Sequence, residues 1–280
     1  MIPTGAARLA GVAGDPVSHS LSPILMRLWI EAAGLDAQYA PFPIAPEHFD
    51  RAVIGLARAG CVGLNVTLPH KEAALELADT ATASARAVGA ANLLTMKGME
   101  IHADNTDIAG FLYALEPANI NYDRAKALVL GAGGAARALV YALLTVGVTD
   151  LALCNRNLTR AEGLARDLAP GASLIPWEAR DDVLADRTLI INATSLGLKG
   201  RKELTLDWDR VSPGSIAFDS VYTPLKTGFL TGAATRGLTA IDGLDMLIGQ
   251  ARPSFEAFYG QPVPALPDLR GQLVRYLEAS

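Results

Sequence analysis

The chain has 280 residues, of which 50% are hydrophobic and 19% charged, and its net charge is −5. This composition is typical of a globular protein with room for two domains, and it excludes a disordered chain. Without a basic cluster, a nucleic-acid-binding surface is not expected. The longest nearly apolar run, residues 138–148, is too short to cross a bilayer, and the N-terminus lacks the pattern of a signal peptide. We therefore expect a cytoplasmic protein with no membrane or nucleic-acid partner.

The first predicted element is a buried strand over Arg8–Gly14, followed by a loop rich in hydroxyl side chains. Ser22 precedes Pro23, which is the arrangement of a helix N-cap with proline at the first helical position. On local grounds Ser22 is explained equally well as a cap and as a ligand-binding residue. Capping alone does not explain Ser20. The helix is expected to end near residue 33.

A strand over residues 38–44, a helix over 47–59 and a buried strand over 61–68 are predicted next. Thr67 and Lys71 lie where the last of these strands ends and the following helix begins. Ligands of open α/β sheets bind at this carboxyl edge. The helix dipole disfavours lysine in a first turn, so Lys71 is either a solvated surface lysine or a functional one.

Two helical segments, 71–78 and 81–88, lead to a predicted hairpin whose first strand opens at Asn92 and whose second covers residues 100–103. Asp107 follows the hairpin and begins a helix that runs to about residue 115. Considered alone, Asp107 is more readily explained as a helix cap. The polar residues 117–124 are interpreted as the approach to a second domain.

The second domain is predicted to begin with a buried strand near residue 127 that turns sharply into a helix running to residue 146. The turn contains Gly131, Gly133, Gly134 and Ala135. Residues without large side chains allow backbone N–H groups to approach a diphosphate, and the positive end of the helix dipole faces that anion. A strand, a glycine-rich turn and a helix in this order predict a dinucleotide site, although a plain strand–helix turn is the alternative.

The next strand, over residues 151–154, ends in Asn155 and Arg156, with Arg160 close behind. An NAD-binding domain normally has an acidic residue here, which binds the ribose 2′-hydroxyl. This chain has two guanidinium groups instead, which suit a 2′-phosphate. NADP is therefore the predicted cofactor, and surface arginines without a ligand are the alternative.

A later strand, over residues 188–193, ends at Thr194 and Ser195, which are expected beside the nicotinamide half of the cofactor. Strands over Ile216–Asp219 and residues 238–241 complete the predicted sheet. Gly243 begins the turn into a helix over residues 245–259, which carries Gln250. This helix and a last one over residues 269–277 are expected to return to the first domain.

Several stretches together resemble the shikimate dehydrogenase family, in the family's order and over almost the whole chain. They are SLSP at 20–23, NVTLPHK at 65–71, GAAN at 89–92, NTD at 105–107, GAGGAAR at 131–137, NR at 155–156, NATS at 192–195, YTP at 222–224 and QA at 250–251. The resemblance implies an NADP-dependent, reversible reduction of 3-dehydroshikimate to shikimate in aromatic amino-acid biosynthesis. It implies an α/β fold with an N-terminal substrate-binding domain (1–107 and 244–280), a Rossmann-type dinucleotide-binding domain (108–243) and an active-site cleft between them.

Individual residues are assigned by the motifs they occupy. Lys71 and Asp107 resemble the family's catalytic pair, and we expect them to lie within hydrogen-bond reach of each other. The groups that resemble the family's substrate-binding residues are Ser20, Ser22, Thr67, Asn92, Tyr222 and Gln250. The predicted cofactor-binding residues are Gly131, Gly133, Gly134, Ala135, Asn155, Arg156, Arg160, Thr194, Ser195 and Gly243.

No metal is expected, because His19, His48, His70 and His102 show no ligand spacing and are interpreted as surface or loop residues. The two cysteines, at 61 and 154, form no disulfide framework. The assembly is expected to be a monomer or a homodimer.

Three departures from the family pattern leave the preference between shikimate and quinate open. They are Met26-Arg27, Leu93 and Phe258. A non-catalytic dinucleotide-sensing regulator on the same scaffold is a further alternative. Retention of Lys71 and Asp107 argues against that regulator, because sensing needs neither residue.

Overall fold

The computed structural model describes residues 2–279, which form two compact units. The first unit comprises the chain up to Thr106 together with the chain from Leu247 onward, and the second is Asp107–Met246. Which unit binds substrate and which binds cofactor stays a prediction at this point, as does the cleft between them.

Ten α-helices are present in the described part of the chain. They are α1 (Ser22–Ala32), α2 (Phe49–Arg58), α3 (Lys71–Leu77), α4 (Ala83–Val88), α5 (Asp107–Leu115), α6 (Gly134–Thr145), α7 (Leu158–Leu168), α8 (Gly228–Thr235), α9 (Leu244–Tyr259) and α10 (Leu269–Ala279). Short 3₁₀ segments cover Pro46–His48, Glu116–Ala118, Tyr122–Arg124, Trp177–Asp186 and Trp208–Arg210. No helix within residues 2–279 is both long and apolar enough to cross a membrane.

The first unit contains a six-stranded mixed sheet with the strand order β2-β1-β3-β5-β6-β4. Its strands are β1 (Arg8–Gly14), β2 (Ala37–Pro43), β3 (Gly63–Val66), β4 (Thr80–Ala81), β5 (Leu93–Lys97) and β6 (Glu100–Asp104). The hairpin strand β5 is antiparallel to both of its neighbours, and the other pairings are parallel. Leu64 and Leu94 from this sheet share a buried core with Phe49 and Val53 of α2.

The second unit contains six parallel strands in the order β12-β11-β10-β7-β8-β9. They are β7 (Lys126–Leu130), β8 (Asp150–Cys154), β9 (Ser173–Ile175), β10 (Leu189–Asn192), β11 (Ile216–Asp219) and β12 (Thr239–Ile241). The strand order reverses between β7 and β10, and ligands of such sheets bind outside the carboxyl ends of the strands at this point. The predicted α/β class and the Rossmann-type sheet are confirmed.

The structure differs from the predicted elements in several places. Two short strands, β4 and β9, and the helix α8 were not predicted, and β4 occupies the start of the helix expected over residues 81–88. The helix expected over residues 47–59 consists of a 3₁₀ turn and α2. Strands of two and three residues carry too little sequence pattern to be recognised, because pairing with distant strands makes them.

The interpretation of Ser22 as a helix cap is wrong, because Ser22 is already the first residue of α1. The N-cap position belongs to Leu21, whose backbone is helical and whose side chain caps nothing. The hydroxyl of Ser20 instead accepts a hydrogen bond from the backbone N–H of Ser22, at 3.2 Å. Ser20 therefore satisfies a backbone donor at the start of α1, which is the task that capping would have given to Ser22.

Candidate active site

Two serine hydroxyls lie at the start of α1 in the first unit. Ser22 is only 5% exposed, yet its Oγ has no hydrogen-bond partner among residues 2–279. The hydroxyl oxygen of Ser20 accepts a hydrogen bond from the backbone N–H of Ser22, and its proton stays available for donation. The turn therefore presents two hydroxyl donors, which is the chemistry that an anionic or hydroxylated ligand requires.

The segment from Thr67 to Lys71 follows β3 and is fixed on both sides. The backbone N–H of Thr67 donates to the carbonyl of Ala13 at 2.9 Å. His70 is buried, stacks on Phe49 with ring centroids 4.5 Å apart, and places Nε2 2.7 Å from the Ile44 carbonyl oxygen. His70 thus lies in a loop, as predicted, but not at the surface, and it anchors the turn that precedes Lys71.

Lys71 is half-buried and opens α3. Its backbone carbonyl accepts a hydrogen bond from the N–H of Ala91 at 2.8 Å. Ala91 immediately precedes Asn92, so the start of α3 and the start of β5 are held together in the first unit.

Asn92, Thr106 and Gln250 form a buried polar cluster. Asn92 Oδ1 accepts from the backbone N–H of Thr106 at 2.6 Å and lies 3.2 Å from its hydroxyl. Asn92 Nδ2 donates to Gln250 Oε1 at 3.4 Å, and the Thr106 hydroxyl lies at the same distance from that oxygen. Gln250 Nε2 donates in turn to the Leu247 carbonyl at 3.1 Å. The first unit therefore brings two predicted substrate residues, Asn92 and Gln250, into direct contact.

Sequence reasoning gave no role to Asn65, which supports this cluster from β3. It is 5% exposed, and its Nδ2 donates to Ser254 Oγ at 2.8 Å and to the Asn92 carbonyl at 3.2 Å. Its Oδ1 accepts from the Tyr39 hydroxyl at 2.8 Å. An amide within an otherwise apolar strand requires such partners, and that signal was present in the sequence.

The glycine-rich turn of the second unit connects β7 to α6. Gly131 has φ +121°, and a Cβ there would come within 2.8 Å of the Ala193 carbonyl oxygen of the adjoining segment. Gly133 is the N-cap of α6 and offers no side-chain cap, and a Cβ at Gly133 would meet nothing within 4 Å. The first backbone N–H groups of this twelve-residue helix, those of Gly134 and Ala135, therefore have no side-chain cap. They also lie next to open space, and a phosphate site requires both features.

The end of β8 presents positive charge without a neighbouring acid. Asn155 is held by a bond from Nδ2 to the Asn157 carbonyl at 2.8 Å, and Asn157 caps α7 by accepting from the Arg160 N–H. Arg156 and Arg160 are exposed, and neither guanidinium has a hydrogen-bond or ion-pair partner within residues 2–279. Two such groups suit a phosphate monoester.

The loop after β10 is folded around Asn192. Its Oδ1 accepts from the N–H and the hydroxyl of Thr194 at 3.0 and 2.7 Å, and its Nδ2 donates to the Leu196 carbonyl at 3.1 Å. Ser195, between them, is exposed. Neither Asn192 nor the acid at the end of β11, Asp219, was assigned a role from the sequence.

Asp219 is fully buried and accepts hydrogen bonds from Asn192 Nδ2 at 2.9 Å, from the Val221 N–H at 3.0 Å and from the Thr227 hydroxyl at 2.7 Å. Burial raises the pKa of this carboxyl to about 6 despite those bonds.

Gly243 packs so closely on the backbone after β11 that a Cβ would collide with the Ser220 carbonyl, and its N–H donates to the Val221 carbonyl at 3.1 Å.

The predicted site residues divide between the two units. Ser20, Ser22, Thr67, Lys71, Asn92 and Gln250 belong to the first, and Asp107, Tyr222 and all ten cofactor residues belong to the second. Asp107 is 5% exposed and opens α5, directly after Thr106. The pairing of Lys71 with Asp107 stays a prediction. Among the described residues, no group of three or more His, Cys, Asp and Glu side chains could hold a metal ion.

Known proteins match both units. The family model for a shikimate dehydrogenase substrate binding domain matches residues 12–94, and the model for shikimate / quinate 5-dehydrogenase matches residues 114–198. A curated shikimate dehydrogenase (NADP(+)) of Maricaulis maris is 71% identical over 279 residues, which is 100% of both chains. The chain belongs to the shikimate dehydrogenase family.

Solved structures of this family have the same fold. The shikimate 5-dehydrogenase of Thermus thermophilus, solved in complex with NADP(H) and shikimate, is 34% identical with a TM-score of 0.85, covering 96% of this chain and 99% of that one. The shikimate dehydrogenase of Aquifex aeolicus is also 34% identical, with a TM-score of 0.89 and coverage of 98% and 100%. The predicted resemblance is confirmed over the whole chain.

Proposed function

We propose that the protein is an NADP-dependent shikimate dehydrogenase, which reversibly reduces 3-dehydroshikimate to shikimate in aromatic amino-acid biosynthesis. The observation that carries this proposal is the full-length identity of 71% with the NADP-dependent enzyme of Maricaulis maris. The hydrogen-bonding groups described above supply the chemistry that such a reaction needs.

The second unit fits the cofactor on its own geometry. Gly133, Gly134 and Ala135 would hold the diphosphate at the N-terminus of α6. Arg156 and Arg160 would hold the 2′-phosphate, which an acid at the end of β8 would repel. NADPH supplies the hydride when bound. Asn155, Thr194, Ser195 and Gly243 complete the proposed cofactor contacts.

The first unit fits a small, highly hydroxylated acid. Each water contact that such a substrate loses must be replaced by a hydrogen bond from the protein. The hydroxyls of Ser20 and Ser22 would bind the carboxylate, since neither proton is used within the described chain. Thr67, Asn92 and Gln250 would bind the ring hydroxyls, and Tyr222 of the second unit would add a further contact.

Lys71 is the proposed proton donor. Reduction of a ketone builds negative charge on the carbonyl oxygen, and a positioned acid that protonates this oxygen accelerates the reaction by about 10²–10⁴-fold. The ammonium group of Lys71 would also stabilise the developing charge. Asp107 would orient Lys71 and the reacting hydroxyl.

The location and assembly are also part of the proposal. Cys61 and Cys154 are both free and buried, which agrees with a cytoplasmic protein that does not depend on disulfides. A monomer or homodimer without nucleic-acid or membrane partners suits an enzyme that acts on a small metabolite.

The test is a cross-assay of the purified protein with shikimate and quinate, each in the presence of NADP and of NAD. We expect the highest kcat/KM for shikimate with NADP. A preference for quinate would make the protein a quinate dehydrogenase, and a lack of activity in all four combinations would leave a dinucleotide-sensing regulator.

A further inference from the structure

We propose that Asp219 is a positioning residue that holds two segments in fixed positions relative to each other. One is the loop after β10, which carries the proposed cofactor residues Thr194 and Ser195, and the other is the segment that carries Tyr222. This inference rests on the proposed function, because the two segments matter only if they bind cofactor and substrate. Asp219 itself would touch neither ligand. All the contacts involved lie within the second unit.

One carboxylate oxygen joins the loops after β10 and β11. Asp219 Oδ1 accepts from Asn192 Nδ2 at 2.9 Å and from the Val221 N–H at 3.0 Å. Asn192 in turn orients Thr194, because Asn192 Oδ1 accepts hydrogen bonds from both the N–H and the hydroxyl of Thr194. Val221 directly precedes Tyr222. A single oxygen therefore holds the backbone of the residue that precedes Tyr222 and, through Asn192, the orientation of Thr194.

The second carboxylate oxygen of Asp219 connects the end of β11 to the start of α8. Asp219 Oδ2 accepts from the Thr227 hydroxyl at 2.7 Å, and that hydroxyl accepts from the Leu230 N–H at 3.2 Å as the cap of α8. The neighbouring N–H of Gly228 is bound by the carboxylate of Glu203 at 2.9 Å. The Asp219 carboxylate thus connects the loop after β10 to both the beginning and the end of the stretch between β11 and α8.

Burying the Asp219 carboxylate costs folding free energy, so stability alone does not explain an acid at this position. Its carboxyl is fully buried, and its three hydrogen bonds do not offset the loss of water, since the pKa rises to about 6. Glu203 is the nearby acid that raises it further. A neutral group of the same shape would avoid this cost, and stability that is given up in this way is typical of functional sites.

The test compares Asp219→Asn with two controls in the full-length protein. Asp186→Asn removes an exposed acid of the same unit, and Thr227→Ser keeps the hydroxyl that Asp219 uses. The side-chain amide introduced by Asp219→Asn keeps an oxygen that can accept from Asn192 and Val221, but its nitrogen can only donate, so the Thr227 hydroxyl proton loses its acceptor. We expect the Kd of NADP to rise roughly tenfold, the KM for shikimate to rise in parallel, and Tm at pH 7.5 to be unchanged or higher. Both controls should match the wild type in the Kd of NADP and the KM for shikimate.

An Asp219→Asn protein that binds NADP as tightly as the wild type would overturn the proposal, and a lower Tm with that unchanged Kd would show that Asp219 serves stability alone. If that variant does not fold, Thr227→Val removes the bond to Oδ2 together with the cap bond from the Leu230 N–H, and it leaves both bonds to Oδ1 intact. It should weaken NADP binding where Thr227→Ser does not, and equal binding by both variants would also overturn the proposal. Because Kd is measured without substrate, failure to oxidise shikimate would reject the proposed reaction without deciding this inference.

Discussion

The backbone N–H of Thr106 donates a 2.6 Å hydrogen bond to the side-chain oxygen of Asn92. The bond is buried, and it connects the start of β5 to the residue that immediately precedes Asp107. Asn65 also holds the backbone of Asn92, because Asn65 Nδ2 donates to the Asn92 carbonyl. The residue proposed to bind a substrate hydroxyl therefore also fixes the chain where the proposed catalytic carboxylate begins α5.

Ser22 and Ser20 should respond differently to truncation. Ser22→Ala removes a hydroxyl that has no partner within residues 2–279, so we expect Tm to be unchanged and the KM for shikimate to rise about 10- to 100-fold. Ser20→Ala also removes the acceptor at the start of α1, so it should raise KM and cost about 1 kcal/mol of unfolding free energy. Loss of stability in Ser22→Ala with an unchanged KM would contradict the assignment.

The arginines after β8 should determine the choice of cofactor. Arg156→Ala should raise the KM for NADP about 10- to 100-fold and leave the KM for NAD nearly unchanged, because only NADP carries the 2′-phosphate. Arg166→Ala is the control, since Arg166 is an exposed arginine of α7 that pairs with Asp167. An equal loss with both cofactors would show that Arg156 does not bind the 2′-phosphate.

Substitutions at two glycines of the turn between β7 and α6 should separate an effect on folding from an effect on cofactor binding. Gly131→Ala forces a side chain into φ +121° and against the Ala193 carbonyl, so it should lower the unfolding free energy by about 1–3 kcal/mol. Gly133→Ala meets nothing within 4 Å and should fold normally. Its methyl group would nevertheless occupy the space proposed for the diphosphate, so calorimetry should show NADP binding at least roughly tenfold weaker. Wild-type affinity in Gly133→Ala would refute the diphosphate site.

The buried carboxyl of Asp219 should make stability depend on pH. Its pKa is raised from 3.8 to about 6, so the folded protein holds this proton more tightly than the unfolded chain does. The contribution of Asp219 to the unfolding free energy is therefore largest below pH 4, and about 3 kcal/mol of it is lost as the pH rises through about 6. Urea denaturation from pH 4 to 7 should show the wild type losing most of this stability relative to Asp219→Asn. A difference between the two proteins that stays constant with pH would contradict it.

The sequence predicted those parts of the fold whose signals are local. The turn from β7 into α6 follows from an apolar run and glycines, and the hairpin of β5 and β6 from its turn at Lys97-Gly98. The parallel order of the second sheet follows from alternating strands and helices. These signals act within a few residues, so one sequence suffices to recognise them.

The missed features depend on partners that are distant in sequence. Asn65 bonds to Ser254, and Asp219 to Thr227 and Asn192, and nothing in the local pattern of either residue names those partners. The cap of α1 was misplaced because the backbone of Leu21 is already helical, which the Ser-Pro pair does not reveal. His70 was expected at the surface or in a loop, and stacking on Phe49 buries it. Tertiary packing decides each of these cases.

The most direct test of the proposed mechanism is kcat of Lys71→Ala with shikimate and NADP, measured beside Lys97→Ala, which removes an exposed lysine of β5. If Lys71 donates the proton in the reduction, it accepts that proton in this reverse direction, so kcat falls about 10²–10⁴-fold, the KM for shikimate changes modestly, and the control retains its activity. A Lys71→Ala protein that retains near-normal kcat would contradict the account.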